Sequence, residues 1–451
     1  MELAAINRVY FVGIGGIGMS ALARYFAKRG VQVCGYDKTK TTLTLALESE
    51  GILVNYVDET AALPLGFQEN AADTLIIYTP AIPKNSAILN YFQSTGFTLK
   101  KRSEVLGIIS RGQFCIAVAG THGKTTTSSI IAHILTHSGF GCTAFLGGIA
   151  TNYQSNFLIG DNNVVVVEAD EYDRSFLTLN PDLAVITSMD ADHLDIYGDA
   201  AHLHESFHLF ASQLKLDGTL FVKEGLPLKN GLTYSLNEHA AIYGNNIRVF
   251  NSSFMFDYTS SKTEIKDLCI MLPGKHNVEN AVAAIAVSLQ LGIEPEAIKS
   301  AVAAFKGVKR RFEYVVKTPT QIYIDDYAHH PEELRACFDA VRQLYPDKKL
   351  TVLFQPHLFT RTRDFADEFA EVLSTVDDLL LLDIYPAREL PLDGITSAWL
   401  LNKVISNSKS LVQKDAVLAI IEDKKPELLL TVGAGDIDTL IQPLKQLMDH
   451  A

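Results

Sequence analysis

Gly120-Thr121-His122-Gly123-Lys124-Thr125-Thr126-Thr127 lies between an apolar run, Phe114 to Ala119, that reads as a strand, and a helical pattern, Ser128 to Thr136. Strand, glycine-rich loop and helix in that order form a phosphate loop. Backbone N–H groups at the helix amino terminus face phosphate oxygens, Lys124 supplies a cation and the Thr125 hydroxyl can ligate magnesium. Only two residues separate the glycines, against four in the usual spacing, so the alternative is a turn that happens to contain Gly and Lys. The loop places the chain among parallel α/β folds and fixes where other sites are sought.

A nucleotide site needs oxygen ligands at the ends of neighbouring strands. Val164 to Glu168 is an apolar strand ending in acids, with Glu168 the first magnesium candidate beside Thr125 and with Asp170, Glu171 and Asp173 following. At least two of those three acids read as solvated loop charges. The strand Leu183 to Thr187 ends in Ser188-Met189-Asp190-Ala191-Asp192-His193-Leu194-Asp195, in which His193 is a candidate ligand of a second metal. A lone histidine in an acidic loop is more often a surface residue.

Upstream, Arg8 to Val12 reads as a strand, Met19 to Arg29 as a helix closed by Gly30, and Val31 to Tyr36 as the next strand, which makes a βαβ unit. Between the first strand and the helix, Gly13-Ile14-Gly15-Gly16-Ile17-Gly18 fits G-x-G-x-x-G, and Asp37 ends the second strand, where an acid can bind a ribose hydroxyl. Alone this motif suggests NAD. With a second phosphate loop downstream, a nucleotide-linked substrate plus ATP is as reasonable as a dinucleotide.

Thr74 to Tyr78 is a further buried strand, followed by the turn Thr79 to Pro83. The basic cluster Lys100-Lys101-Arg102 precedes a short helical stretch, Ser103 to Ser110, where the first boundary falls. The middle block holds a polar stretch, Gly225 to Ser261, read as irregular, and a helix, Val278 to Gln290, capped by Pro273 to Asn280. Lys309-Arg310-Arg311-Phe312-Glu313 marks the second boundary. Beyond it the strands Gln321 to Ile324, Lys349 to Phe354, Leu379 to Ile384 and Glu427 to Val432 resume the alternation. Two of them lead into Asp325 to Pro331 and Gln355 to Arg363, at the strand ends where open α/β sheets bind ligands. Histidines outside these motifs, and His357 with them, read mostly as structural or exposed.

Composition limits the partners. At about 150 residues per domain, 451 residues suggest roughly three domains. Apolar residues at 47% and charged residues at 20% exclude a disordered chain, and 39 Lys and Arg against 52 Asp and Glu argue against nucleic acid or anionic membrane as a partner. Five scattered cysteines without a CxxC pair indicate neither a zinc site nor a disulfide framework and fit a reducing cytoplasm. No apolar run approaches a membrane span.

In this order and over essentially the whole chain, Gly13 to Ser20, Gly120 to Thr127, Glu168 to Asp173, His276-Asn277 and Asp325 to Pro331 resemble the Mur ligase family. The resemblance implies three domains: residues 1–110 binding a UDP substrate on a Rossmann-like fold, 111–310 a central ATPase, and 311–451 a Rossmann-like domain that receives an amino acid. It implies ATP- and magnesium-dependent amide formation in peptidoglycan precursor synthesis. The lactyl carboxylate of UDP-N-acetylmuramate would be joined to L-alanine through an acyl phosphate. Gly120, Thr121, His122, Gly123, Lys124, Thr125 and Thr126 would cradle ATP; Thr125 and Glu168 would hold its magnesium and His193 the second metal. By the same resemblance His276, Asn277 and Asn280 would lie on the adenine side, Arg311 would face the phosphates, and Asp325 or Asp326 would lie near the ribose. Tyr327, His329, His330 and Arg361 would form the amino-acid pocket. Gly15, Gly16, Ile17, Gly18, Asp37, Thr79 and Arg102 would contact the UDP moiety. Leu358 stands where the family often has Arg, Ala328 replaces a common Gly, and no equivalent of the carbamylated lysine of some siblings is identified, Lys215 and Lys223 being unassigned.

The rival readings are a relative attaching a preformed peptide to the same sugar nucleotide, a folylpolyglutamate synthase, which lacks the opening glycine motif, an NAD-dependent oxidoreductase, which leaves the Gly120 loop unused, and a non-catalytic nucleotide-binding protein. Further expectations are hinges near Ser110 and Lys309, and an exposed Lys124 whose removal abolishes turnover while the fold survives.

Overall fold

The computed structural model describes residues 3–190, 197, 199–250, 253–387 and 389–449. Three sheets organise it, each built from the apolar runs legible in the sequence. The first holds β1 (Arg8–Val12), β2 (Gln32–Tyr36), β3 (Leu53–Asn55), β4 (Thr74–Tyr78) and β5 (Thr98–Lys101) in the order β3-β2-β1-β4-β5. All pairings are parallel, and β1 is wholly buried from Val9 onward because helices cover both faces.

The second sheet has ten strands: β6 (Phe114–Ala119), β7 (Thr143–Ala150), β8 (Ser155–Leu158), β9 (Val164–Glu168), β10 (Leu183–Ile186), β11 (Thr219–Lys223), β12 (Leu232–Ser235), β13 (Ile242–Phe250), β14 (Ser253–Ser260) and β15 (Glu264–Ile270). Their order is β15-β14-β13-β12-β11-β10-β6-β9-β7-β8. β6 is central, with β9 on one side and β10 on the other, both parallel to it. From β6 the chain crosses to β7 and β8, returns to β9 and then passes to β10 on the other side of β6, so the carboxyl ends of β6, β9 and β10 lie side by side.

The third sheet holds β16 (Glu313–Lys317), β17 (Ile322–Asp326), β18 (Leu350–Phe354), β19 (Asp378–Leu381), β20 (Lys409–Leu411) and β21 (Leu428–Val432) in the order β16-β17-β21-β18-β19-β20. Only β16 runs antiparallel to its neighbour.

The stretch from Gly225 to Ser261, expected to be irregular, contains β12, β13 and β14. Its half-exposed strands carry polar residues on one face, which hides an alternation: Phe254, Phe256 and Tyr258 are buried at every second position. The phosphate-loop helix also begins earlier than expected, at Lys124 instead of Ser128, because Gly123 turns the chain into it at a φ of 83°. Three threonines in its first turns are poor helix formers, which is why the apolar period starts late.

The chain divides into two compact units: residues 1–244, 258–265 and 280–304 form one, and residues 245–257, 266–279 and 305–451 the other. The boundary near Ser110 falls inside the first unit. One apolar cluster runs from Val9, Phe11 and Tyr25 through Ile109 to Cys115, Phe145 and Val167, so the hinge expected there is filled by a shared core. Cys34, Cys115, Cys142 and Cys337 are buried, Cys269 is half-buried, and all five are free thiols. Burial pushes the Cys115 and Cys142 thiols up to about 12. Among the described residues no helix is long and apolar enough to cross a membrane.

Candidate active site

The phosphate loop is strapped to the end of β10. The Thr187 hydroxyl donates to the carbonyls of Ala119 (3.1 Å) and His122, His122 N–H donates to Ser188 Oγ at 2.6 Å, and the Thr121 and Ser188 hydroxyls share a hydrogen bond of 2.8 Å. Gly120, at a φ of 137°, passes so close to Thr187 that a Cβ there would overlap the hydroxyl, and a Cβ on Gly123 would press on Asn280 Oδ1. These contacts hold a backbone cradle of the kind a phosphate chain enters.

Lys124 departs from expectation. Its side chain is only 13% exposed, and its ammonium lies 2.8 Å and 2.9 Å from the two carboxylate oxygens of Glu171, while also donating to the Gly120 and Thr121 carbonyls. Burial pulls the ammonium pKa down, but the carboxylates of Glu171, Asp170 and Glu168 together outweigh it and hold the group charged above its ordinary value. Glu171 is itself fully buried, so it is not a solvated loop charge. Asp170 and Asp173 are the partly exposed acids of that loop, paired with Arg102 at 3.5 Å and Lys101 at 3.1 Å.

The register that places Val118 opposite Glu168 brings the Glu168 carboxylate beside the loop. Thr125 Oγ1 donates to Glu168 Oε1 at 3.0 Å, and Gly147 N–H donates to Glu168 Oε2, also at 3.0 Å. A hydroxyl and a carboxylate at hydrogen-bond distance form a hard-oxygen donor set that fits magnesium, and the glycine cradle with a charged lysine fits a polyphosphate. Asn280 lies at this loop through the Gly123 contact. His193 lies outside the described residues.

The amino-terminal glycines converge similarly. Gly13 N–H and Ile14 N–H donate to the Tyr36 carbonyl, and Asp37 Oδ2 accepts from Gly15 N–H at 2.7 Å while Oδ1 accepts from Thr39 N–H at 3.1 Å. Asp37 thus clamps the glycine turn as well as ending its strand. A Cβ on Gly13 would touch Thr79, and one on Gly18 would meet the Arg102 guanidinium. Gly15, Gly16, Ile17, Gly18, Asp37, Thr79 and Arg102 therefore gather at the carboxyl end of the first sheet.

In the second unit His276 packs against Gly274, and Asn277, 5% exposed, donates to the Pro273 carbonyl at 2.6 Å. Asp325 is fully buried. It accepts from Arg310 Nε at 3.1 Å and from the Thr431 hydroxyl, and burial, opposed by Arg310, raises its pKa to about 7. Asp326 accepts from the Phe312 and Ala328 N–H groups at 2.7 Å each. The two acids anchor the Arg310-Arg311-Phe312 turn, with Arg310 tied inward and the half-exposed Arg311 guanidinium left over the Tyr327 ring at 5.2 Å. His329 Nδ1 lies 3.5 Å from Glu333, and its ring stands 5.9 Å from that of His357. Arg361, 6% exposed, reaches His357 at 3.3 Å.

Tyr327, His329 and Arg361 thus meet around His357 and Tyr385, which stack at 5.8 Å. His330 caps the helix Pro331–Leu344 and packs on Phe365. Leu358 is buried, at a φ of 72°. Lys215 is paired with Asp182 at 2.7 Å.

Sequence reasoning missed Glu171 as the lysine's partner, and Thr187, Ser188, Gly147, His357 and Tyr385. Thr187 and Ser188 could have been found as the first polar pair after an apolar strand; Glu171 and Gly147 carry no local signal.

The chain matches three family models: "Mur ligase family, catalytic domain" over residues 8–114, "Mur ligase middle domain" over 118–288, and "Mur ligase, glutamate ligase domain" over 310–435. It is 52% identical over 451 residues to the UDP-N-acetylmuramate–L-alanine ligase of Flavobacterium psychrophilum, covering 100% of both chains. It is 49% identical to the same-named ligase of Christiangramia forsetii, over 100% of this chain and 99% of that one. A crystal structure of the UDP-N-acetylmuramate–alanine ligase of Thermotoga maritima superposes with a TM-score of 0.82 at 26% identity, over 98% of this chain and 100% of that one. A murein peptide ligase of Psychrobacter arcticus shares the fold at 22% identity, with a TM-score of 0.71 over 98% of this chain and 99% of that one.

Proposed function

The chain belongs to the Mur ligase family, and on that premise we propose which of its residues carry the ATP-driven joining of L-alanine to UDP-N-acetylmuramate in peptidoglycan synthesis. The observation that carries the assignment is the meeting, in one unit, of a strapped phosphate loop, a buried lysine and the Thr125–Glu168 oxygen pair. We assign residues 1–110 to the sugar nucleotide, 111–310 to ATP and 311–451 to the amino acid.

A carboxylate is a poor acyl donor, so the lactyl carboxylate takes the γ-phosphoryl group of ATP and ADP leaves; the alanine amine then attacks the acyl carbon, and the tetrahedral intermediate expels phosphate as the amide forms. The Gly120–Gly123 backbone holds the phosphate chain, and Lys124 exchanges Glu171 for phosphate oxygens when ATP enters. Thr125 and Glu168 would hold magnesium, with His193 at the second metal position; the ion, when bound, offsets charge on the transferring group. Arg311, which lies over the Tyr327 ring and 3.8 Å from Glu333, would add positive charge to the phosphates. Asp325 acts on the nucleotide only through that arginine turn. Tyr327, His329 and Arg361 orient the amino acid, and the Gly13–Gly18 turn with Thr79 and Arg102 binds the UDP moiety. Fixed dipoles and charges of this kind stabilise a transferring phosphoryl group best where water is excluded.

Phosphate release from magnesium-ATP with UDP-N-acetylmuramate tests the reading, comparing L-alanine, glycine, L-serine, a cell-wall tripeptide and no amine. Release that requires both the sugar nucleotide and L-alanine, with the amide confirmed by product mass, is the expected result. A response to the tripeptide alone transfers the protein to the peptide-attaching branch.

A further inference from the structure

Asn156, on β8, is fully buried and lies outside every motif, yet its side chain reaches the helix Ile17–Lys28 that follows the amino-terminal glycines. Its amide nitrogen donates to the Ile17 carbonyl and to Ser20 Oγ at 3.1 Å, and its amide oxygen accepts from Arg24 Nη1. Ser20 in turn donates to the same Ile17 carbonyl at 2.9 Å. Arg24, 6% exposed, completes the arrangement through a two-pronged pair with Glu50, Nε at 2.8 Å and Nη2 at 2.7 Å.

Two features separate this arrangement from ordinary packing. A buried group that must donate at one end and accept at the other selects an amide: aspartate loses the donor to Ile17 and Ser20, and alanine removes that donor together with the acceptor for Arg24 Nη1. The carbonyl it holds belongs to the first turn of the helix, whose N–H groups have no partner within the helix and face the glycine turn. The hairpin that carries Asn156 is locked against the same helix by rings, with Tyr25 at 5.5 Å from Phe145 and 6.3 Å from Phe157.

We propose that Asn156 is a positioning residue for the sugar-nucleotide substrate, fixing through the Ile17 carbonyl the first helical turn that receives the diphosphate. This rests on the assignment of the Gly13–Gly18 turn to the UDP moiety. Arg24 and Glu50 act behind it, holding the amide in the orientation that points its nitrogen at Ile17. A displaced first turn weakens the grip on a diphosphate while leaving the ATP loop, fastened separately to Thr187 and Ser188, as it was.

Steady-state kinetics of Asn156→Ala, Asn156→Asp and Ser20→Ala in the full chain test this, with calorimetric binding of UDP-N-acetylmuramate measured without ATP. For Asn156→Ala and Asn156→Asp, KM and Kd for the sugar nucleotide rise about tenfold, kcat changes less than about threefold, and KM for ATP stays within about twofold. Ser20→Ala, a small change that keeps the fold, raises the same KM about threefold. Wild-type KM for the sugar nucleotide in Asn156→Asp or Ser20→Ala overturns the proposal, as does a parallel rise in KM for ATP and for the sugar nucleotide. A wild-type enzyme whose phosphate release ignores UDP-N-acetylmuramate instead overturns the functional assignment beneath it.

Discussion

Lys124 and Glu171 are buried together, so removing the lysine does more than delete a phosphate ligand. Breaking a buried pair from one side strands the other charge, at a cost of roughly 3–5 kcal/mol. Lys124→Ala therefore abolishes ligation and also lowers the melting temperature, whereas Lys124→Ala combined with Glu171→Gln regains most of the melting temperature and none of the turnover. Calorimetry beside the phosphate-release assay separates the two effects; a single variant that melts like wild type contradicts the pairing. Asp325 offers a second residue-level test. A carboxyl group whose folded pKa is raised holds its proton more tightly folded than unfolded, so its contribution is fully present below the unfolded value near 3.8 and is lost as pH rises through about 7. Urea unfolding between pH 5 and pH 8, followed in the second unit, should show that loss in wild type and not in Asp325→Asn. Lys124 and Asp325 were both legible as residues of interest, because each ends an apolar strand or its loop. Their burial and partners were not, since Glu171 lies 47 residues from Lys124 and Thr431 lies 106 from Asp325.

Among the elements, the β7–β8 hairpin carries contacts that neither of its strands announced. Its strands pair Phe145 with Phe157, the register then breaks before Ala150, and in that break Gly147 donates its N–H to Glu168. A Cβ at Gly147 would overlap the Glu168 carboxylate, so no side chain fits there without moving the acid. Gly147→Ala is expected to raise the magnesium concentration needed for half-maximal turnover by about tenfold with little change in KM for L-alanine, a magnitude typical of displaced support around a metal ligand. A titration of activity against magnesium checks it, and an unchanged midpoint would show that Glu168 is not held from this side. β6, β9 and β10 were readable because buried parallel strands are continuous apolar runs. The hairpin was not, and β13 and β14 were passed over, because strands with one wet face dilute their apolar period with polar residues.

At the scale of the whole molecule, the amino-terminal and central blocks share a core, while residues 305–451 build their own around the third sheet. Contiguous burial is what makes a cooperative unit. Hydrogen exchange should accordingly report the same opening free energy for β1 and β6, and a separate one for β18 and β21; distinct values for β1 and β6 would restore a division at Ser110. Three blocks were visible in the sequence from where motifs restart, but the restart of a pattern does not reveal whether two blocks bury surface against each other. Arg24–Asn156, Tyr25–Phe145 and Arg102–Asp170 are all pairings across that first boundary, and none leaves a local trace.

The five free thiols also differ sharply in how open they are to reagents. Cys34, Cys115, Cys142 and Cys337 are sealed in the cores, and burial raises each of their pKa values, so the thiolate that alkylating reagents attack is scarce there. Cys269, part-way out on β15, is the position a maleimide dye reaches first. The native chain thus arrives with a single practical attachment point for a fluorophore or spin label, and optical work on it can begin without first stripping out cysteines.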